Sequence, residues 1–517
     1  MKTKHLIGKG YFPEDITPPF KSKKLGNHSI SLFNHFERMS KDIKKQYNVT
    51  ECLPFSVPKT GLRRRIFEIP NPIYQIQLSK IIEDNWENII GVYRSSKCTN
   101  SMPIPDKSKK RAIKPKFSIS EMHEKNMEDS FNKPFLLKTD ISKFFPSIYT
   151  HSITWALHSK KEGKNKRFDN SLAGNKIDKA IQNCRNGQTN GIPTGPDTSR
   201  IISEIISCDT DKKLADKHPG IVGNRFMDDC YFYFSSYSEA EEFVSNYRVI
   251  LNDYGLMLNE DKTDILEFPY QHEPSWVPQL RNYKIRSKIK EQNIDLKTFF
   301  SLVINLRIEN PKDSIFKYAA RKLSNMDICK QNWKLYQSIL FKIGLYEPIT
   351  LPIILKPFLR YNKLLDKIKT KKFIHTLIQE HLPKVHNFEV AWALWFAYVF
   401  SININKNIAQ DILNSRDHIS IIMALDLKEK GLISSEVNVS KIESTLNEDS
   451  LINDQWLLTY ESVKKGWLDP VDPNLLENSA YFSELEKKDI EFYSSIKDIE
   501  LEDEIMEDWF AYYELRH

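Results

Sequence analysis

The stretch Arg225-Phe226-Met227-Asp228-Asp229-Cys230-Tyr231-Phe232-Tyr233-Phe234 decides how this chain is read. Two carboxylates stand between apolar runs. Asp pairs are common in loops, but seldom with flanks as apolar as Phe226-Met227 and residues 231–234. The pattern predicts a β-hairpin with the two Asp residues at its tip. Neighbouring strand residues face opposite sides, so Asp228 and Asp229 cannot contribute equally. Asp228 is the expected principal group and Asp229 the auxiliary one.

Upstream lies Leu136-Leu137-Lys138-Thr139-Asp140-Ile141-Ser142-Lys143-Phe144-Phe145. An apolar strand delivers Asp140 at its end, and an aromatic pair follows. Two-metal phosphoryl transfer needs carboxylates on rigid elements, holding two Mg²⁺ ions roughly 3.5–4 Å apart. A strand end beside a hairpin tip meets that need.

Between the acidic motifs runs Asn190-Gly191-Ile192-Pro193-Thr194-Gly195-Pro196-Asp197-Thr198-Ser199-Arg200. It reads as a loop with a helix beginning near Asp197. Gly191 has no side chain, so its backbone can approach a base pair or nucleotide closely. Arg200 and Glu204 fit a helical i,i+4 pair. After the Asp pair comes Lys262, suited to neutralise or protonate a pyrophosphate leaving group. Arg63, Arg64 and Arg65 precede a strand-like run, and guanidinium groups suit bidentate phosphate binding. A second basic run at 107–116 contains Lys107, Lys109, Lys110, Arg111, Lys114 and Lys116, and reads equally as a phosphate contact or a solvated surface. The acidic run 500–508 reads as solvated surface.

The 517 residues exceed one ordinary domain. A net charge of +7 permits a polyanionic partner without demanding one. The six cysteines form no CxxC pair, and no Cys/His cluster is expected at zinc-ligand spacing. They read as reduced thiols of a cytoplasmic protein. Residues 1–13 show no apolar signal region, and no run of about 18 apolar residues predicts a membrane span. Up to about residue 269, strand-like and helical stretches alternate. After about residue 285 the pattern is helical, as at 296–307, 316–324, 333–343, 390–400, 420–430 and 455–465. This reads as a stack of antiparallel helices with no fixed repeat period.

In this order the segments resemble the conserved blocks of reverse transcriptases, over roughly residues 55–268. Asp140 falls in the first catalytic block and Asn190-Gly191 in the block that contacts template and nucleotide. Phe226-Met227-Asp228-Asp229 is the xxDD block, and Lys262 falls in the block that follows. Phe145 matches the steric-gate position, where a ring collides with a ribose 2′-OH and favours dNTPs. Asn190 stands where many of the family have Gln, and Phe226 where many have Tyr. No Val-Thr-Gly signature of retron enzymes occurs. Gly10-Tyr11-Phe12-Pro13-Glu14-Asp15-Ile16-Thr17-Pro18-Pro19-Phe20, the 191–200 loop and the helical half with Trp392, Trp395 and Phe396 are similar to bacterial defence reverse transcriptases of the abortive-infection (Abi) and unknown-group type.

The resemblance implies an α+β fold: a 1–54 extension, a 55–275 palm and fingers domain, and a 276–517 all-α, helical-repeat-like domain. It assigns metal binding to Asp140, Ile141, Asp228 and Asp229, with Mg²⁺ or Mn²⁺ as cofactor, and catalysis to the three Asp residues and Lys262. Phe145, Asn190, Gly191, Arg63, Arg64 and Arg65 are the expected nucleotide contacts. It further implies a homo-oligomer and template-independent DNA synthesis from dNTPs, primed by a protein tyrosine. Tyr11 and Tyr47 lie in the polymerase half, as priming or as packing residues. The alternatives are RNA-templated synthesis with a dedicated non-coding RNA, or a nucleic-acid-binding scaffold whose catalysis is dispensable.

Overall fold

Alternating apolar residues build the strands. Cys230, Phe232 and Phe234 share one face of their strand, and the Phe232 and Phe234 rings lie 4.7 and 5.1 Å from Phe243. The computed structural model describes residues 1–108, 111–271 and 273–494. The acidic run 500–508, and Lys109 and Lys110 of the basic run, fall outside the described residues.

Eight strands are described, in three antiparallel sheets. β1 (Leu53–Pro58) and β2 (Arg64–Ile69) form a hairpin, and β3 (Pro103–Pro105) and β4 (Ile113–Pro115) a shorter one. β5 (Phe135–Asp140), β6 (Val222–Phe226), β7 (Asp229–Phe234) and β8 (Asp264–Glu267) form a four-stranded sheet in the order β6-β7-β5-β8. The helix Tyr237–Asn252 packs on it, and the helix Asp197–Lys217 buries Ile201, Ile202, Ile205 and Ile206 beneath it.

From Trp276 to Lys487 the described chain holds helices and no strand. Helix lengths there run from four to 21 residues, so no uniform repeat is imposed. The helix Asn387–Val399 is apolar on every side, and Trp392, Trp395 and Phe396 are fully buried, as befits a core helix. No described helix is long and apolar enough to cross a membrane. All six cysteines are free thiols.

The buried cores do not follow the three sequence segments. One core gathers the four-stranded sheet and its helices. The other starts at Ile7, takes in Phe55, Val57, Phe67 and Ile69 of the β1–β2 hairpin, and runs through the helical half to Tyr493. The hairpin is seated on the helical half. Phe55 lies 6.5 Å from Phe388, and the Ser56 N–H donates to Asn387 Oδ1 at 2.9 Å.

The 10–20 motif ties these parts together. Tyr11 packs on Trp456 and Phe492 and donates its hydroxyl to the Pro70 carbonyl. Tyr47 is also buried, its hydroxyl 3.0 Å from Ser479 Oγ. Both are packing residues. The same motif locks onto the 191–200 loop. A Cβ at Gly10 would lie 2.6 Å from Asp197 Oδ2, so only glycine allows this approach. Arg200 Nη2 donates to Glu14 Oε1 at 2.7 Å. The expected Arg200–Glu204 pair does not form, because Glu204 turns inward to Arg225. Arg111 is no phosphate contact: it is buried, and it donates to Asp197 Oδ1 at 2.7 Å and to the Phe12 carbonyl at 2.9 Å.

Asp197 also accepts from the Ala112 and Ile113 amides. Asp197→Ala removes the closer of the two carboxylates beside buried Arg111, the other being Glu14, and is expected to lower unfolding stability by about 1–3 kcal/mol in urea denaturation.

Candidate active site

The strand register sets Asp140 directly opposite Asp229 on β5 and β7. Asp228 sits in the two-residue turn Met227-Asp228 between β6 and β7. A two-residue hairpin turn demands a positive φ, and Met227 supplies it at +57°, a conformation disfavoured for a long side chain. The turn is held in place from both ends. The Met227 N–H donates to Ser101 Oγ at 2.8 Å, and the Met227 carbonyl accepts from Arg225 Nη1 at 3.0 Å. Arg225 is fully buried, with Nη2 2.7 Å from Glu204 Oε1 and 2.8 Å from Asp211 Oδ2. The Ile141 N–H donates to the Asp228 carbonyl at 3.2 Å, tying the turn to the β5 end.

The carboxylates share more negative charge than the fold neutralises. Burial, and then Asp140, raise the pKa of Asp228. Burial, Asp228 and Asp140 push Asp229 up to about 6. An oxygen-rich cluster with mutually opposed charges fits a hard divalent cation, which relieves that repulsion. Ile141 buries its side chain, so only its backbone carbonyl can serve as a ligand.

Lys262 lies in the turn Glu260–Lys262, seated by the Asn259 N–H donating to the Asp140 carbonyl at 2.7 Å. It forms a salt bridge to Asp140. Burial works against its charge, but that hydrogen bond and the three carboxylates prevail and raise its pKa.

The Arg63, Arg64, Arg65 run does not act as one group. Successive strand residues face opposite ways. Arg65 is exposed and shares the strand face of Phe67, and its charge counters the raised pKa of Asp228. Arg64 faces the helical half, with Nη1 and Nη2 2.6 and 2.8 Å from the Glu389 carboxylate. Arg63 donates to the Thr60 and Lys312 carbonyls. Arg64 is therefore committed to the Glu389 carboxylate, whereas Arg63 is exposed. Lys59, at the β1 end, joins Arg65 instead. Burial and the nearby Arg65 lower its pKa while Asp228 opposes the shift, so these groups share one space.

Phe145 is half-buried, edge-on to Phe144 at 5.6 Å. It neighbours the Asn190-Gly191 loop. The Ile192 N–H donates to the Phe145 carbonyl at 3.1 Å, and the Gly191 N–H to the Ile148 carbonyl at 2.7 Å. Gly191 has φ +85°, and a Cβ there would lie 3.0 Å from the Pro146 carbonyl. Asn190 pairs with Tyr149 in an isolated bridge, and its carbonyl accepts from Arg185.

Sequence reasoning missed Lys59, Ser101, Glu204 in its present role, Asp211 and Arg225. Glu204 and Asp211 are seven apart on one helix, hence on one face, but nothing local shows that Arg225 meets them.

Three carboxylates thus meet at a strand end and a hairpin tip, with Lys262 in salt bridge to one of them. Residues 58–301 match the reverse transcriptase (RNA-dependent DNA polymerase) family, so the chain carries a reverse-transcriptase domain. No curated protein matches the chain. Among solved structures it is similar to the apo telomerase of Candida tropicalis truncated from its C-terminal domain (12% identity, TM-score 0.31), covering 43% of this chain and 51% of that one. It is also similar to the apo telomerase of Candida tropicalis (13% identity, TM-score 0.31), covering 74% of this chain and 67% of that one. A third is the telomerase of Candida albicans in complex with a TWJ fragment of telomeric RNA (14% identity, TM-score 0.31), with coverage of 80% and 67%. The chain spans about half of the first of these and about two thirds of the other two.

Arg225→Met is expected to leave Glu204 and Asp211 buried and unpaired, lowering unfolding stability by about 3–5 kcal/mol in calorimetry or denaturant titration. Ser101→Ala loses two hydrogen bonds, from the Met227 amide and to Glu204, and should cost about 1–3 kcal/mol by the same measurement.

Proposed function

We propose that the chain is a divalent-metal-dependent DNA polymerase of reverse-transcriptase type, acting in antiphage defence by abortive infection. In this reading it extends a strand from dNTPs without a conventional template, starting from a protein tyrosine. The polymerase part is carried by the meeting of Asp140, Asp228 and Asp229 with Lys262, Arg65 and Lys59. Asp140 and Asp228 would hold Mg²⁺ (or Mn²⁺), assisted by Asp229 and the Ile141 carbonyl. When held there, such ions would supply activation of the attacking hydroxyl and neutralisation of charge on the transferring phosphoryl group. Lys262, kept protonated, donates to the departing pyrophosphate. Arg65 and Lys59 bind the triphosphate from the β1–β2 hairpin. The Phe145 ring excludes a 2′-hydroxyl, and the Asn190-Gly191 backbone lies against the nucleotide.

The defence role, template independence and tyrosine priming rest on the resemblance of the 10–20 and 191–200 motifs and the helical half. The packing of those two motifs on each other supports treating them as one feature. Homo-oligomerisation and a cytoplasmic location belong to the same reading. Tyr11 and Tyr47, both buried, are set aside as priming residues.

The test is incubation of nuclease-treated protein with labelled dNTPs and Mg²⁺, beside an Asp228→Asn variant. The expected result is incorporation without added nucleic acid, label that stays on the protein after denaturation, and loss of both in the variant. Incorporation that requires RNA would replace this reading with templated synthesis on a dedicated non-coding RNA. No incorporation under any condition would leave a nucleic-acid-binding scaffold. Lys262→Ala should lower kcat by about 10²–10⁴-fold. Phe145→Ala should raise ribonucleotide use by about 10–100-fold in a competition assay.

A further inference from the structure

In the helical half, the segment His381-Leu382-Pro383-Lys384-Val385-His386-Asn387-Phe388-Glu389 folds back on itself. Val385 takes φ +54°, a left-handed conformation disfavoured for a branched side chain. It brings His386 over His381, and the His386 N–H donates to the His381 carbonyl at 3.2 Å. The two Nδ1 atoms then stand 2.9 Å apart. Glu389, one helical turn beyond His386, places Oε1 3.8 Å from each of them. A point equidistant from these three atoms lies about 2.1 Å from each, the length of a zinc–imidazole or zinc–carboxylate bond.

We propose that His381, His386 and Glu389 form a site for a divalent transition-metal ion of the zinc class. The donor chemistry selects the ion. Two imidazoles and one carboxylate suit Zn²⁺ and its neighbours, whereas Mg²⁺ prefers an all-oxygen shell.

Arg64 orients the carboxylate ligand. It binds both Glu389 oxygens, and Oε1 has a second lone pair for the ion. Asn387, between His386 and Glu389, accepts the Ser56 amide of β1 at 2.9 Å. The site is thus hydrogen-bonded to both strands of the hairpin. The four residues between His381 and His386 lie within the range used by zinc-binding histidines, contrary to the expectation of no such cluster.

The test is Zn²⁺ titration of the chelator-treated full chain against a chromophoric competitor. One tight ion per chain is expected, and it should persist in the Asp140→Asn, Asp228→Asn double variant. His381→Ala and His386→Ala should weaken it by more than about 100-fold, and Arg64→Ala by about 10–100-fold. Zn²⁺ binding that disappears in the Asp double variant and survives in folded His variants would overturn the proposal. So would the absence of Zn²⁺ binding in the wild type. Should the His variants fail to fold, Co²⁺ loading of the Asp double variant decides: visible absorption bands of a nitrogen and oxygen site are expected, and their absence would refute the site.

Discussion

A single guanidinium buried beneath a turn governs the geometry of the site. Arg225 stands between Glu204 and Asp211 with no exposure to solvent, and it gives a hydrogen bond to the carbonyl of Met227. Burying such a charge is expensive unless its partners are complete. Here they are, and the arrangement does what an apolar cluster of equal volume could not. It holds a carbonyl, and with it a strained backbone turn, in one orientation. Ser101 bonds to Glu204 as well as to the Met227 amide, so the same network grips the turn from both sides. Asp228 is therefore presented to Asp140 before any ligand arrives, and the repulsion between them is built in.

The second constraint is that the hairpin carrying Lys59 and Arg65 has no core of its own. Its inward residues belong to the helical half. A two-stranded hairpin is at best marginal in isolation. Arg64 and Asn387 add polar fastenings to that apolar seat. The helical half therefore sets where the cations over the carboxylates stand. The N-terminal motif performs a related task, filling the space between the 191–200 loop and residues near Trp456 and Phe492.

Much of this was legible from the residues. The hairpin around Asp228, the strand ending at Asp140, the helix from Asp197 and the helical half follow from periodicity and turn chemistry, which are local properties. The separation of the arginine run was legible in principle, because strand alternation sends Arg64 and Arg65 apart. Which of the two faced the carboxylates was not, since that depends on what lies on each side of the hairpin. Arg111 illustrates the same limit. In sequence it sits in a run of lysines and resembles a surface cation, whereas in the fold it is the buried partner of Asp197.

The sequence by itself determined the elements and the chemical types at their ends, because strands, helices and turns are written in residues a few positions apart. It placed the carboxylates, the lysine after them and the ring at Phe145 in a recognisable order. Only the tertiary structure decided which charges meet. Arg225 with Glu204 and Asp211, Arg64 with Glu389, and Lys59 with Asp228 join residues far apart in the chain. Coulomb attraction and desolvation depend on separation and burial in space, and neither quantity exists until the chain has folded.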